Sequence, residues 1–104
     1  MANQFGERVR KLRELNRLFQ REIAAILNID IPMLSKIERG ERKAKKQQIK
    51  IFAKVLKASE NELLTLWLAD QLEDIIEGEE LASQALRSVS KKINTKKRIN
   101  DFRS

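Results

Sequence analysis

Glu77, Glu79 and Glu80 form the tightest cluster of side chains able to do acid–base or metal chemistry, and they straddle Gly78. Carboxylates converging on a cleft can hold a divalent ion or activate water, as a nuclease requires. These three fall instead where a glycine is expected to break a helix, without an obvious pocket or metal partner. The chain has no cysteine and no histidine. Disulfides, Cys/His metal sites and Cys–His or Ser–His–Asp machinery are therefore excluded by composition. A chain of 104 residues holds one domain with a modest core and has little room for a large enzyme cleft. Neither an enzyme nor a bound cofactor or metal is expected.

The other chemistry the residue types offer is the binding of anions. The net charge is +7, unevenly placed. Residues 1–57 hold 15 Lys/Arg against 6 Asp/Glu; residues 58–86 hold 8 acids and no base; residues 87–104 hold 7 bases and 1 acid. A basic body suits a polyanion such as nucleic acid, although it would also keep a small protein soluble. The densest run, Arg42, Lys43, Lys45 and Lys46, reads either as a phosphate-binding loop or as a solvated charge run. The acidic block is ill suited to a phosphate backbone, so a nucleic-acid face is expected within the first 57 residues. The N-terminal MANQFGERVR does not resemble a signal peptide, and no apolar run approaches the roughly 18 residues of a membrane span. A soluble, cytoplasmic and nucleoid-associated protein is expected.

The elements that must position these groups read as helices throughout. Proline occurs once and glycine three times, so breakers are few. Phe5, Val9, Leu12 and Leu15, followed by Leu18 and Phe19, have the spacing of an amphipathic helix. Ile23, Ala24, Ile26 and Leu27 mark a second helix ending near Asn28. Asp30 caps a third, with Pro32 tolerated in its first turn and Gly40 as its stop. Ile49, Phe52, Ala53 and Leu56 mark a fourth. Ser59 opens a fifth, with Glu62 completing a capping box. Its apolar stripe runs Leu63, Leu64, Trp67, Leu68, Leu72, Ile75 and Ile76 to Gly78. A sixth amphipathic helix is expected over roughly residues 79–93, with the last ten residues, TKKRINDFRS, as a frayed tail. No internal repeat or low-complexity segment is present.

Residues 20–39, QREIAAILNIDIPMLSKIER, read as two short helices joined by a tight turn. Ala24 is small where two helices would touch. Asn28 tolerates the positive φ that such a turn requires. Ile23, Leu27, Ile29, Leu34 and Ile37 can all face inward, Gln20 opens the first helix, and Asp30 caps the second. These requirements are met in order and without a gap.

The segment resembles the helix-turn-helix of the phage-repressor family of regulators (the Cro/cI or XRE type). That family's pattern is S-Q-x-x-L-A, then G-[IV]-S, then I-S-x-[IWY]-E-x-G. The chain offers Phe19-Gln20-Arg21-Glu22-Ile23-Ala24, then Asn28-Ile29-Asp30, then Leu34-Ser35-Lys36-Ile37-Glu38-Arg39-Gly40. The similarity continues through Phe52-Ala53-Lys54-Val55-Leu56 and Ser59–Leu64. It implies an all-α fold: a five-helix repressor-like DNA-binding domain, here with a lengthened fifth helix and an additional C-terminal amphipathic helix. The expected division is residues 1–68 as the helix-turn-helix domain, 69–95 as a helical extension for dimerisation, and 96–104 as a flexible basic tail.

The resemblance also implies roles. Gln20 would touch a phosphate from the start of helix 2, joined by Arg21, Arg39, Arg42, Lys43, Lys45 and Lys46. Helix 3 would enter the major groove and offer Ile31, Pro32, Met33, Ser35 and Lys36 to the bases. Here the chain departs from many relatives, because Ile31, Pro32 and Met33 lack hydrogen-bonding groups. They suit thymine methyls, while Lys36 suits guanine O6 and N7. Either some of the three pack on the protein body, Met33 foremost, or specificity rests partly on DNA shape. Arg13 and Glu38 match a pair that locks helix 1 to helix 3, a structural salt bridge rather than a reading contact.

The wide stripe of the fifth helix allows two arrangements. The sixth helix folds back on it, or Leu64, Trp67, Leu68, Leu72 and Ile75 lie between two subunits. A homodimer is expected, because reading a palindrome requires two recognition helices about one DNA turn apart. The resulting expectation is a sequence-specific, double-stranded DNA-binding repressor or operon controller. A competing expectation is an antitoxin of the same fold whose C-terminal segment binds a toxin. A bridging coactivator that uses no DNA is a third.

Overall fold

The computed structural model describes residues 2–103, with side chains through residue 97. Six helices follow in order: α1 (Gln4–Leu15), α2 (Gln20–Leu27), α3 (Ile31–Glu38), α4 (Lys46–Leu56), α5 (Glu60–Ile76) and α6 (Ala82–Arg103). No strand occurs among the described residues. The fold is all-α, as the 3.6-residue periodicity requires.

One core serves α1 to α5. Phe5, Val9 and Leu12 of α1 meet Ile23, Ala24 and Leu27 of α2, Leu34 and Ile37 of α3, Ile49, Phe52, Ala53 and Leu56 of α4, and Leu63 of α5. Phe5 and Phe52 pack edge to face with centroids 5.6 Å apart, the geometry that the aromatic quadrupole favours. Three residues of the first two predicted stripes lie outside this core. Leu15, the last residue of α1, and Ile26, on the outer side of α2, are both exposed. Phe19 is exposed as well, with the Arg21 guanidinium 4.5 Å from its ring centroid.

The turns follow from residue chemistry. Asn28 ends α2 in the left-handed region (φ 57°), and the next N–H, of Ile29, donates to the Ala24 carbonyl at 3.0 Å. Asp30 caps α3, its Oδ1 accepting from the Met33 N–H at 2.7 Å. Ser59 caps α5 through the Glu62 N–H, but the expected reciprocal bond is absent. The Glu62 carboxylate instead reaches α1, accepting from Arg8 Nε at 2.8 Å. A cation presented by a neighbouring helix competes successfully with one backbone N–H.

The N-terminus of α1 is capped from far along the chain. Asp70 of α5 accepts from the N–H groups of Gln4 and Phe5, both at 2.9 Å. A carboxylate there satisfies orphan donors and complements the helix dipole. At the same corner α1 meets the end of α3 closely. Asn3 Nδ2 donates to the Glu38 carbonyl at 3.0 Å. Gly6 faces that junction, and a Cβ on it would collide with Asn3 Oδ1 and the Ile37 carbonyl. Gly40 (φ +77°) lies on the other side of Asn3, where a Cβ would sit 2.6 Å from Asn3 Cγ. Both glycines are there so that Asn3 can seal the C-terminus of α3.

Beyond Gly78 (φ +79°) the chain leaves the bundle. The sixth helix starts three residues later than the expected 79 and runs on to Arg103, through the segment expected to fray. Residues 94–103 contain no glycine or proline to stop it. Among the described side chains α6 contributes none to the core; Leu86, Val89 and Ile93 on it and Leu81 in the turn before it are exposed. The Cα radius of gyration, 16.4 Å, exceeds the roughly 13 Å of a compact chain this long. No described helix is long and apolar enough to cross a membrane.

Candidate nucleic-acid interface

The interface is built on a buried ion pair. Arg13 of α1 grips Glu38 of α3 with two parallel bonds, Nε to Oε2 at 2.7 Å and Nη2 to Oε1 at 3.0 Å. Its Nη1 also donates to the Leu18 carbonyl at 3.1 Å. The side chains are 14% and 3% exposed, so the pair is largely out of water. The hydrogen bond from Arg13 to Glu38 raises the guanidinium pKa above its ordinary value, against burial that lowers it. A forked guanidinium facing a carboxylate fixes both position and angle. α1 thereby fixes the rotation of α3.

The network extends outward. Gln20 Nε2 donates to Glu38 Oε1 at 3.2 Å, and Gln20 Oε1 accepts from the Ser35 hydroxyl at 3.2 Å. The first residue of α2 is therefore tied to the middle of α3 through the ion pair. Gln20 and Ser35 are both half-buried and face each other rather than standing free. Together with Arg10, Arg13, Glu38 and Arg39 they line one shallow depression. Arg10 was not singled out from the sequence, since its spacing marks it only as a polar-face residue. Here it pairs with Glu14 at 3.1 Å and borders α3.

Along α3, Ile31, Pro32 and Lys36 are exposed, as is Arg39 at its C-cap. Met33 is half-buried and packs against the core. Of the five expected base readers, the fully presented ones are thus Ile31, Pro32 and Lys36. Arg39 is held by Glu41 at 2.9 Å on the surface. That hydrogen bond and charge raise the Arg39 pKa and lower that of Glu41.

Two helix N-termini flank α3 in sequence. At α2 the Gln20 and Arg21 N–H groups make no bond within the described residues, and Arg21 is exposed. At α4, Lys45 occupies the N-cap and Lys46 the first helical position, both exposed and without an ion pair among the described residues. Open N–H groups, the positive end of the dipole and adjacent cations favour a phosphate at each. The loop before α4 is pinned from behind. Ala44 is buried, and its carbonyl accepts from the Trp67 indole N–H at 2.8 Å. Lys43 turns toward α5, 5.5 Å from the Trp67 ring centroid, and donates to Gln71 Oε1 at 3.0 Å. Arg42 is exposed and lines the small depression between this loop and α5.

The expected subunit-contact residues divide in two. Leu64 and Trp67 pack partly on the chain's own core, whereas Leu68, Leu72 and Ile75 are exposed. Asp70, Asn3 and Gly6 escaped the sequence reading because each acts through a partner distant in the chain. No group of three or more His, Cys, Asp or Glu able to hold a metal ion occurs among the described residues.

Comparison with curated proteins and with solved structures returned no match. Comparison with protein-family models matched the helix-turn-helix domain over residues 4–66, more than half of the 104-residue chain. The match takes in α1 to α4 and the first part of α5, the elements that share the core and present α3. It supports DNA binding and transcription regulation as the activity of the chain. On this match and this geometry, the chain belongs to the helix-turn-helix domain family.

Proposed function

We propose that this protein is a sequence-specific, double-stranded DNA-binding transcriptional regulator, a repressor or operon controller, acting as a homodimer on a palindromic operator. The observation that carries this reading is the exposed face of α3, flanked in sequence by two helix N-termini with open N–H groups and exposed cations, at Gln20–Arg21 and Lys45–Lys46. α3 enters the major groove, and the two N-termini anchor on the sugar-phosphate backbone either side of it. Lys36 donates to guanine, Ile31 and Pro32 meet thymine methyls, and Ser35 and Met33 contribute from half-buried positions. Arg42 adds a backbone contact, as do Arg39 and Lys43 once Glu41 and Gln71 release them. With few hydrogen-bonding readers, selectivity leans on DNA shape.

The test is the dependence of duplex affinity on salt. Each phosphate neutralised contributes about 0.9 to the slope of log K against log salt. Lys45→Ala with Lys46→Ala is expected to lower the slope by nearly two and to weaken binding to all sequences alike. Lys36→Ala is expected to relax the preference for one base pair while lowering the slope by no more than one. A wild-type affinity that is flat in salt contradicts the reading.

A further inference from the structure

Phe19, the N-cap of α2, is 59% exposed and lies outside the hydrophobic core. An aromatic side chain is a poor choice for that position. N-caps favour Ser, Thr, Asp and Asn, whose oxygens accept from the first N–H groups of the helix, and a phenyl ring has no such acceptor. The backbone of Phe19 does what the position requires. Its N–H donates to Glu22 Oε1 at 3.2 Å, and its carbonyl accepts from the Glu22 N–H at 3.1 Å. Neither the core nor the capping of α2 accounts for the ring.

The contact of the ring is with Arg21. The guanidinium Cζ lies over it, 4.5 Å from the centroid, within the roughly 6 Å at which an aromatic face attracts a cation. Arg10 and Arg39 are ordered differently. Arg10 pairs with Glu14 at 3.1 Å and Arg39 with Glu41 at 2.9 Å, so each is held by a carboxylate that a phosphate would have to displace. Arg21 has no ion pair among the described residues. Glu22, its neighbour in sequence, turns its carboxylate back to the Phe19 N–H instead. A ring restrains the guanidinium yet leaves its charge unneutralised and sets no acceptor oxygen in competition for its N–H donors. Restraint before binding removes part of the ordering cost that a long side chain otherwise meets in the complex.

We infer that Phe19 is a positioning residue: its ring holds Arg21 ordered and fully charged for a phosphate of the DNA backbone. The ring acts through Arg21 and not on the duplex itself. The inference rests on the DNA-binding role proposed above and specifies how one of its backbone contacts is prepared.

Phosphate contacts carry no sequence information, so the full-length protein titrated with a mixed-sequence duplex over a range of salt reads them. Arg21→Ala is expected to lower the slope of log K against log salt by about 0.9. Phe19→Leu keeps an apolar side chain without the ring. It is expected to weaken binding about two- to five-fold, a loss bounded by the strength of an exposed cation–π contact, with the unfolding midpoint unchanged. Phe19→Tyr keeps the ring and is expected to bind as the wild type does. In the Arg21→Ala background, Phe19→Leu is expected to have no further effect. An equal loss from Phe19→Leu with and without Arg21 overturns the inference, because the ring then touches DNA directly. So does Phe19→Tyr binding as weakly as Phe19→Leu. Phe19→Leu binding like the wild type, while Arg21→Ala still lowers the slope, overturns the positioning role and leaves the phosphate contact standing. A slope that Arg21→Ala does not change removes the contact itself, and the inference with it.

Discussion

Glu38 accepts hydrogen bonds from both Arg13 and Gln20, so one buried carboxylate sets the rotation of α3 and the start of α2 together. Its removal strands Arg13 in a poorly solvated site and frees the Gln20 amide. Glu38→Ala is expected to cost about 3–5 kcal/mol of folding stability, the usual penalty for an uncompensated buried charge. Urea denaturation measures it, and a loss below about 1 kcal/mol would show that water reaches the pair and screens it. Arg13 and Glu38 were legible in the sequence only through the family pattern; periodicity would have left Glu38, beside Ile37, as one more polar position. Gln20 illustrates the converse. Its place at the start of a helix was legible, but its amide is shared with Ser35 and Glu38, and that sharing depends on side-chain rotamers that spacing does not reveal.

At the scale of elements, the local signals were the readable ones. Asn28, Asp30, Gly40 and Ser59 each end or start a helix through chemistry confined to a few neighbouring residues, and each does so in the fold. Long-range capping left no such trace. Asp70 closes the N-terminus of α1 from 65 and 66 residues away, and Trp67 holds the Ala44 carbonyl from 23 residues away. In the sequence Asp70 was one member of an acidic block and Trp67 one member of an apolar stripe. The start of α6 was misplaced for a related reason: Glu79 to Leu81 fit a helical pattern, but Gly78 spends those residues on a turn. The capping role makes a separate prediction. Asp70→Ala is expected to lower stability by about 0.5–2 kcal/mol, the range measured for lost N-caps. Asp70→Asn is expected to recover part of it, because the amide oxygen still accepts. Chemical denaturation of the two variants checks this; equal losses for both would mean that charge rather than hydrogen bonding does the capping.

The whole molecule separates its functions by charge as well as by fold. The basic body, residues 1–57, holds α3 and the exposed N-termini of α2 and α4, whereas the acids of residues 58–86 lie on α5 and the turn after it, and α6 from residue 87 is basic again. Such a division favours the approach of a polyanion to residues 1–57 rather than to α5. The extended shape, 45 by 38 by 22 Å, follows from α6 standing off the five-helix bundle. The central claim is that α3 reads a specific duplex, twice, through a two-fold dimer. Selection from a pool of random duplexes, followed by footprinting of the full-length protein on the enriched sequence, tests it most directly. The account predicts an inverted repeat whose half-sites are centred about 10 base pairs apart, or a multiple of one turn. It predicts thymines and a guanine where α3 lies, and loss of that guanine preference in Lys36→Ala. Failure of any duplex to enrich over the starting pool would contradict it.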